Sequence, residues 1–195
     1  MPAQAKKLRP NRLFVAVETP AAIRSVLTEL RLHFPGLQWT PPDKLHLTLR
    51  FIGLVPEAGT AAVQQALRGI RHGAFRLTVA GLGLFPRRTG GIVWAGIREE
   101  PALQKLKRQV DEALCDTAGL RLPDGPFSPH VTLTRLKKPP SSALKTLVRE
   151  KSVERFGEMP VTAFTLFRSY LYRSGAIHEP LERYALTPED PSLDE

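Results

Sequence analysis

Residues 45–52 read Leu45-His46-Leu47-Thr48-Leu49-Arg50-Phe51-Ile52, and residues 130–136 read His130-Val131-Thr132-Leu133-Thr134-Arg135-Leu136. Both alternate apolar and polar residues, the period of a strand that lays one face on a core. Residues i and i+2 of a strand share a face. His46 therefore stands beside Thr48 and His130 beside Thr132, with Leu47, Leu49, Val131 and Leu133 turned inward. The copies are 130 − 46 = 84 residues apart. Each follows proline-containing sequence and precedes a helical pattern, a two-copy repeat too short for a solenoid.

The flanking sequence fits this frame. Residues 12–18 read as a buried strand, followed by Thr19 as a helix N-cap and Pro20 as the first helical residue. Ile23, Leu27, Leu30 and Phe34 then keep helical spacing, as do Val63, Leu67 and Ile70 after Pro56. Strands are expected over 74–80 and 92–97, joined by a turn through Pro86, Arg87, Arg88, Thr89, Gly90 and Gly91. Leu103, Leu106, Val110 and Leu114 carry a helix over 101–118, and a basic helix is expected over 141–151. Two more strands are expected over 161–172 and 181–187. Strands between helices, several joined as hairpins, predict an α+β fold with antiparallel sheets rather than a doubly wound parallel one.

The 195 residues are enough for one domain or two small lobes on a shared core. With no internal linker, residues 1–187 are expected to form a single bilobal domain with a pseudo-two-fold repeat around His46 and His130. Residues 188–195 are expected to be an acidic, flexible tail. Hydrophobic residues at 42% and charged residues at 24% exclude a disordered chain. No window reaches the ~18 apolar residues of a membrane helix. The basic N-terminus lacks the apolar stretch of a secretory signal, and the single cysteine, Cys115, excludes a disulfide framework. A cytoplasmic protein without membrane contact is expected. The formal charge of 28 − 19 = +9 suits a polyanionic partner such as RNA or a nucleotide.

Two readings fit the paired His-x-Thr strands. They are ordinary polar faces of an antiparallel sheet, or they bring two imidazoles together across a cleft. With an ordinary pKa near 6.5, one imidazole can hold a proton while the other lacks it. That is what concerted acid–base cleavage of a phosphodiester needs, with the threonine hydroxyls donating to the phosphate oxygens. Arg135 would add a guanidinium, but it starts on the opposite face unless the strand bends. A metal site would have to recruit Asp43 or Asp124. Neither has ligand spacing, and threonine is a poor ligand for transition metals. His33, His72 and His178 are expected at the surface or at helix ends. Trp39 and Trp94 are expected to be core anchors, Trp39 alternatively facing a base, and Cys115 is expected to be packed. Arg87 and Arg88, with Lys137, Lys138, Arg149 and Lys151, either solvate loops or guide RNA phosphates.

The two motifs resemble those of the two-histidine phosphoesterase superfamily, and within it the RNA 2′,3′-cyclic phosphodiesterases, also called 2′-5′ RNA ligases. The resemblance runs through residues 12–16, 45–53, 84–86, 93–96, 127–135 and 166–169. It implies two antiparallel sheets facing each other across a cleft with helices outside. It also implies metal-free, cofactor-free hydrolysis of a terminal 2′,3′-cyclic phosphate to a 2′-phosphate, with possible 2′-5′ ligation, by a monomer. By motif position His46 matches the proton donor and His130 the proton acceptor. Thr48, Thr132 and Arg135 match phosphate contacts. Phe51, Arg50 and Phe14 are the further expected substrate contacts. His178-Glu179 departs from relatives that often carry an aromatic there. A non-catalytic RNA-binding module, or a phosphodiesterase for another small cyclic phosphate, is the alternative.

Overall fold

The computed structural model describes residues 10–188 except 35, 124 and 174. Asp124, the start of the chain and nearly all of the acidic tail lie outside the described residues. The elements follow as β1 (Asn11–Glu18), α1 (Ala21–Glu29), β2 (His46–Val55), α2 (Glu57–Arg68), β3 (Phe75–Arg87), β4 (Gly90–Ile97), α3 (Pro101–Glu112), β5 (His130–Leu136), α4 (Ser142–Glu150), β6 (Arg155–Val161), β7 (Ala163–Tyr172) and β8 (Gly175–Ala185). Among the described residues no helix is long and apolar enough to cross a membrane.

The α+β architecture with antiparallel strands is as expected. The two expected sheets are joined into one, ordered β6-β3-β4-β5-β2-β1-β7-β8. Its halves meet between β2 and β5, where one pair, Leu47 with Val131, is in register. The large core is built from the inward residues of the sheet and the apolar stripes of the helices. Leu47, Val131, Leu103, Leu106, Val110 and Leu114 are all fully buried in it. A second, small cluster of Phe14, Ala16 and Phe167 packs separately.

Helix ends follow local chemistry, with one difference from expectation. The Ser141 hydroxyl accepts from Leu144 N–H at 3.2 Å, and the Glu100 carboxylate accepts from Ala102 N–H at 3.2 Å, each closing a first turn. Helix α1 instead starts one residue later than expected, at Ala21. Pro20 is extended there, and the Thr19 hydroxyl is buried without capping the helix. Cys115 lies exposed in the π-turn Ala113–Thr117 that ends the third helical run, rather than packed. Strand β8 begins at Gly175, six residues before its expected start, and carries Pro180. An edge strand tolerates proline because one side of its ladder has no partner.

The helix face of β2 is fixed electrostatically. Arg50 Nε donates to Asp111 Oδ1 at 2.6 Å, and Arg50 Nη1 donates to the Pro123 carbonyl at 3.0 Å. Lys107, one turn earlier on α3, donates to the same carboxylate. Burial works to raise the Asp111 pKa, but the hydrogen bonds from Arg50 and Lys107 outweigh it and hold the carboxyl below its ordinary range. A carboxyl so depressed contributes stability above its unfolded pKa of about 4 and loses it as pH falls through the lower folded value. Asp111→Asn is expected to cost about 1–3 kcal/mol at neutral pH. It should also flatten the acid limb of stability. Denaturant titrations at neutral pH and near pH 3 measure both, and an equal loss at the two would exclude the ionised network as the cause.

Candidate active site

Both central strands carry a bulge at the same place in the repeat. In β2 the register against β1 slips between Thr48 and Arg50, leaving Leu49 extra. In β5 the register against β4 slips between Thr132 and Thr134, leaving Leu133 extra. A bulge lets two successive residues turn to one side. Leu133 and Thr134 are accordingly both buried, and Leu49 is buried beside an Arg50 that reaches α3. The next residue in each copy, Phe51 or Arg135, returns to the histidine face. The bend that Arg135 required is this bulge. Arg50, expected at the substrate, is turned away by the equivalent one, and its guanidinium is held by Asp111.

The histidines are seated alike. His46 Nδ1 donates to the Lys44 carbonyl and His130 Nδ1 to the Ser128 carbonyl, each at 2.7 Å. A carbonyl oxygen only accepts, so Nδ1 carries the hydrogen in both rings and Nε2 is the nitrogen left for proton exchange. Burial is the main influence lowering the His46 pKa. The Lys44 carbonyl opposes it, and the charges of Arg135 and His130 lower it further.

Aromatic rings hem in both imidazoles. Phe14 stacks on Phe167 with centroids 5.1 Å apart and lies 5.2 Å from His46 and 5.9 Å from Phe51. Phe51 itself is 59% exposed, an apolar ring left open to a ligand. On the other half Phe85 meets the His130 ring edge-on at 5.1 Å, and Trp94 lies 5.0 Å from Phe85 and 6.1 Å from His130. Gly83 makes room for that indole, since a Cβ there would come within 2.0 Å of it.

The motif residues His46, Thr48, His130 and Thr132 thus share one face with Arg135, Phe51 and Phe14. Trp39 packs on the core as expected, its indole N–H donating to the Phe34 carbonyl at 2.9 Å. Trp94 is instead a wall of the site. His33 is exposed, and His72 is tied to the Gly73 and Ala102 carbonyls. His178 is the larger correction. Strand β8 brings its ring to 5.5 Å from His46 and 4.9 Å from Phe14, both nearly perpendicular. Burial first, then the charges of His46 and Lys44, lower its pKa to about 4, so it is neutral at pH 7. Lys44 Nζ donates to the Ala176 carbonyl at 2.9 Å and ties this strand to the His46 loop. Only the unusual residue type at 178 pointed to it in the sequence. Phe85 and Trp94 were signalled by register alone, because Phe85 pairs with Ile92, and Ile92 with Arg135. Among the described residues no three His, Cys, Asp or Glu side chains converge as a metal site.

A family model described as the 2′-5′ RNA ligase superfamily matches residues 17–172. The RNA 2′,3′-cyclic phosphodiesterase of Archaeoglobus fulgidus is 35% identical over 175 residues, 87% of this chain and 97% of that one. The crystal structure of E. coli LigT in apo form superposes with a TM-score of 0.75 at 32% identity, over 92% of this chain and 99% of that one. LigT complexed with 3′-AMP gives 0.74 at 31% identity over the same shares. Matched over most of its length by the family model, by this relative and by these structures, the chain belongs to the 2′-5′ RNA ligase superfamily.

Proposed function

We propose that this protein hydrolyses the terminal 2′,3′-cyclic phosphate of RNA to a 2′-phosphate, with His46 and His130 as its acid and base and no metal in the reaction. The observation that carries the reading is the matched seating of the two imidazoles, each with Nδ1–H fixed on a carbonyl and Nε2 left free. A binding module has use for basic and aromatic residues but none for two such proton carriers. The naming of the Archaeoglobus relative and the 3′-AMP complex of LigT agree with a nucleotide phosphate as the ligand. A cytoplasmic location goes with the reading.

In the proposed reaction His130 Nε2 takes a proton from water as the water oxygen bonds to phosphorus. The P–O3′ bond breaks, and His46 Nε2–H delivers its proton to the departing 3′ oxygen. The 2′-phosphate remains, and one proton has entered and one has left the histidine pair. Thr48 and Thr132 hydroxyls donate to the non-bridging oxygens, and Arg135 balances the charge that grows on them. Phe51 presents its exposed ring to the terminal base, and Phe14, expected at the substrate but buried against Phe167, only backs it. Ligation is the same displacement with a 5′-hydroxyl in the place of water: its oxygen bonds to phosphorus as P–O3′ breaks, leaving a 2′-5′ linkage. Metal independence is supported by the donor set, because each histidine's neighbour on its face is a threonine.

The acid must be protonated, yet burial, Arg135 and His130 all lower the His46 pKa in the empty site. A bound phosphate anion opposes these effects and re-protonates the ring as substrate arrives. NMR titration of the free protein should therefore place His46 below the ordinary 6.5, with inorganic phosphate moving it up. Arg135→Gln should also move it up, because a lowering charge is removed. A His46 value unmoved by both additions would break the link between substrate charge and acid strength.

Incubation with an oligonucleotide ending in 2′,3′-cyclic phosphate tests the reaction itself. The expected product is the 2′-phosphate, formed in excess EDTA. A 3′-phosphate product, or activity that EDTA abolishes and Zn²⁺ or Mn²⁺ restores, overturns the mechanism. Alanine at His46 or His130 should each cost at least about 10²-fold in kcat/KM. The double variant should cost far less than the product, because both act in one step. A substrate with sulfur as the 3′ leaving atom needs no proton on departure, so it should rescue His46→Ala and leave His130→Ala inactive. The opposite rescue would exchange the two roles.

A further inference from the structure

The pairing register sets out the histidine face of the adjacent strands β3, β4 and β5 row by row. Residues directly opposite each other on neighbouring strands project to the same face. One row holds Gly83, Trp94 and Thr132, and the next holds Phe85, Ile92 and Arg135. Two residues further along, Arg87 pairs with Gly90, while Gly91 pairs with Leu136. Lys137 follows Leu136 just past the end of β5, beside the last pair, Arg87 and Gly90: a Cβ on Gly90 would lie 3.4 Å from the Lys137 carbonyl carbon. Gly90 sits between two cations without a side chain, and its backbone lies so close to β5 that a Cβ would fall 2.0 Å from the Leu136 carbonyl oxygen. Arg88 and Lys138 follow these two cations in the chain, outside β3 and β5.

Among the described residues no ion pair or side-chain hydrogen bond engages Arg87, Arg88, Arg135, Lys137 or Lys138. Arg87 is close enough to Arg135 that its charge, after burial, lowers the Arg135 pKa. Like charges gathered without counter-charges are relieved when an anion arrives. Arg135 faces the phosphate that reacts, so the row beyond it is where the chain of a longer substrate continues. Strands spaced about 4.8 Å apart put the ends of β3 and β5, at Arg87 and Leu136, roughly 10 Å from each other. That is a trough wide enough for a single strand to lie across Gly90.

We infer that Arg87 and Lys137, with Arg88 and Lys138 at the rim, hold the backbone phosphates of the nucleotides preceding the cyclic end, and so select single-stranded RNA ends over free nucleoside 2′,3′-cyclic phosphates. The inference rests on the proposed hydrolysis and names its substrate class. It assigns the row to positioning a polymer, not to the chemistry.

The test compares the wild type with Arg87→Gln combined with Lys137→Gln on two substrates. One is a nucleoside 2′,3′-cyclic phosphate, the other a single-stranded RNA of about ten nucleotides with the same cyclic end. For the wild type, kcat/KM should favour the oligonucleotide by at least about tenfold at low salt, and the double variant should lose most of that preference. Each single-strand phosphate contact contributes a slope near −0.7 in log affinity against log salt. The oligonucleotide slope should accordingly become shallower by about 1.4 in the variant, while the mononucleotide slope stays as it was. Equal losses on both substrates would place the two residues at the reacting phosphate instead. An unchanged preference and slope would overturn the row. Fluorescence anisotropy with a labelled RNA bearing a 2′-phosphate end supplies a reading independent of turnover. If the wild type hydrolyses neither substrate but the variant still flattens the salt slope of binding, the hydrolytic reading falls and the row stands. If the variant binds that RNA with unchanged salt slope, the row falls, and a surface for an acidic protein takes its place.

Discussion

One extra residue in each of two strands decides what faces the substrate. A strand repeats every two residues, so an unbroken β5 would send Thr134 to the histidine face and bury Arg135 among the helices. The bulge at Leu133 exchanges them, and Thr134 satisfies its hydroxyl inside by donating to the Gln38 carbonyl at 2.8 Å. The bulge at Leu49 does the same in β2, where Arg50 goes in to Asp111 and Phe51 comes out. The repeat is therefore symmetric in backbone and divergent in chemistry. Its last outward position is a cation in one copy and an aromatic ring in the other, which suits a ligand with a phosphate at one end and a base at the other.

The imidazoles depend on the same strands for their tautomer. Each Nδ1–H is held by a carbonyl two residues earlier, just before the strand begins, so the ring cannot turn its working nitrogen inward without losing a hydrogen bond. Aromatic neighbours fill the space around both rings. They dry the site and strengthen every charge effect within it. His178 contributes to this packing as a neutral ring against His46, and adds no positive charge at neutral pH to a site already crowded with cations.

Much of this was legible in the sequence. Strict alternation located β2 and β5, and helical spacing located the buried leucines of α3. Neither period can announce a bulge, because Leu49-Arg50 and Leu133-Thr134 look like ordinary alternation until the partner strand is known. For that reason Arg50 was expected on the wrong face, and Arg135 was expected there only on a condition. Trp94 was expected in the core because indoles generally are. It forms a wall because Gly83, across the ladder, leaves a place for it. His178 lies on a strand whose start lacks alternation and contains Pro180, so pattern alone left it at the surface. The family resemblance supplied the donor and acceptor assignments, which two nearly identical motifs do not distinguish.

The order of strands in the sheet also governs when the site can come into being. Strands β3 to β6 form one half from a continuous run of chain, whereas the half carrying His46 takes β1 and β2 from the beginning and β7 and β8 from the end. Val15 pairs with Leu166, a separation of 166 − 15 = 151 residues. Closing so long a loop is slow compared with zipping a hairpin. The wall bearing Phe167 and His178 is thus the last to arrive as the chain is synthesised, and both histidines can be in place on their strands before the pocket around His46 exists.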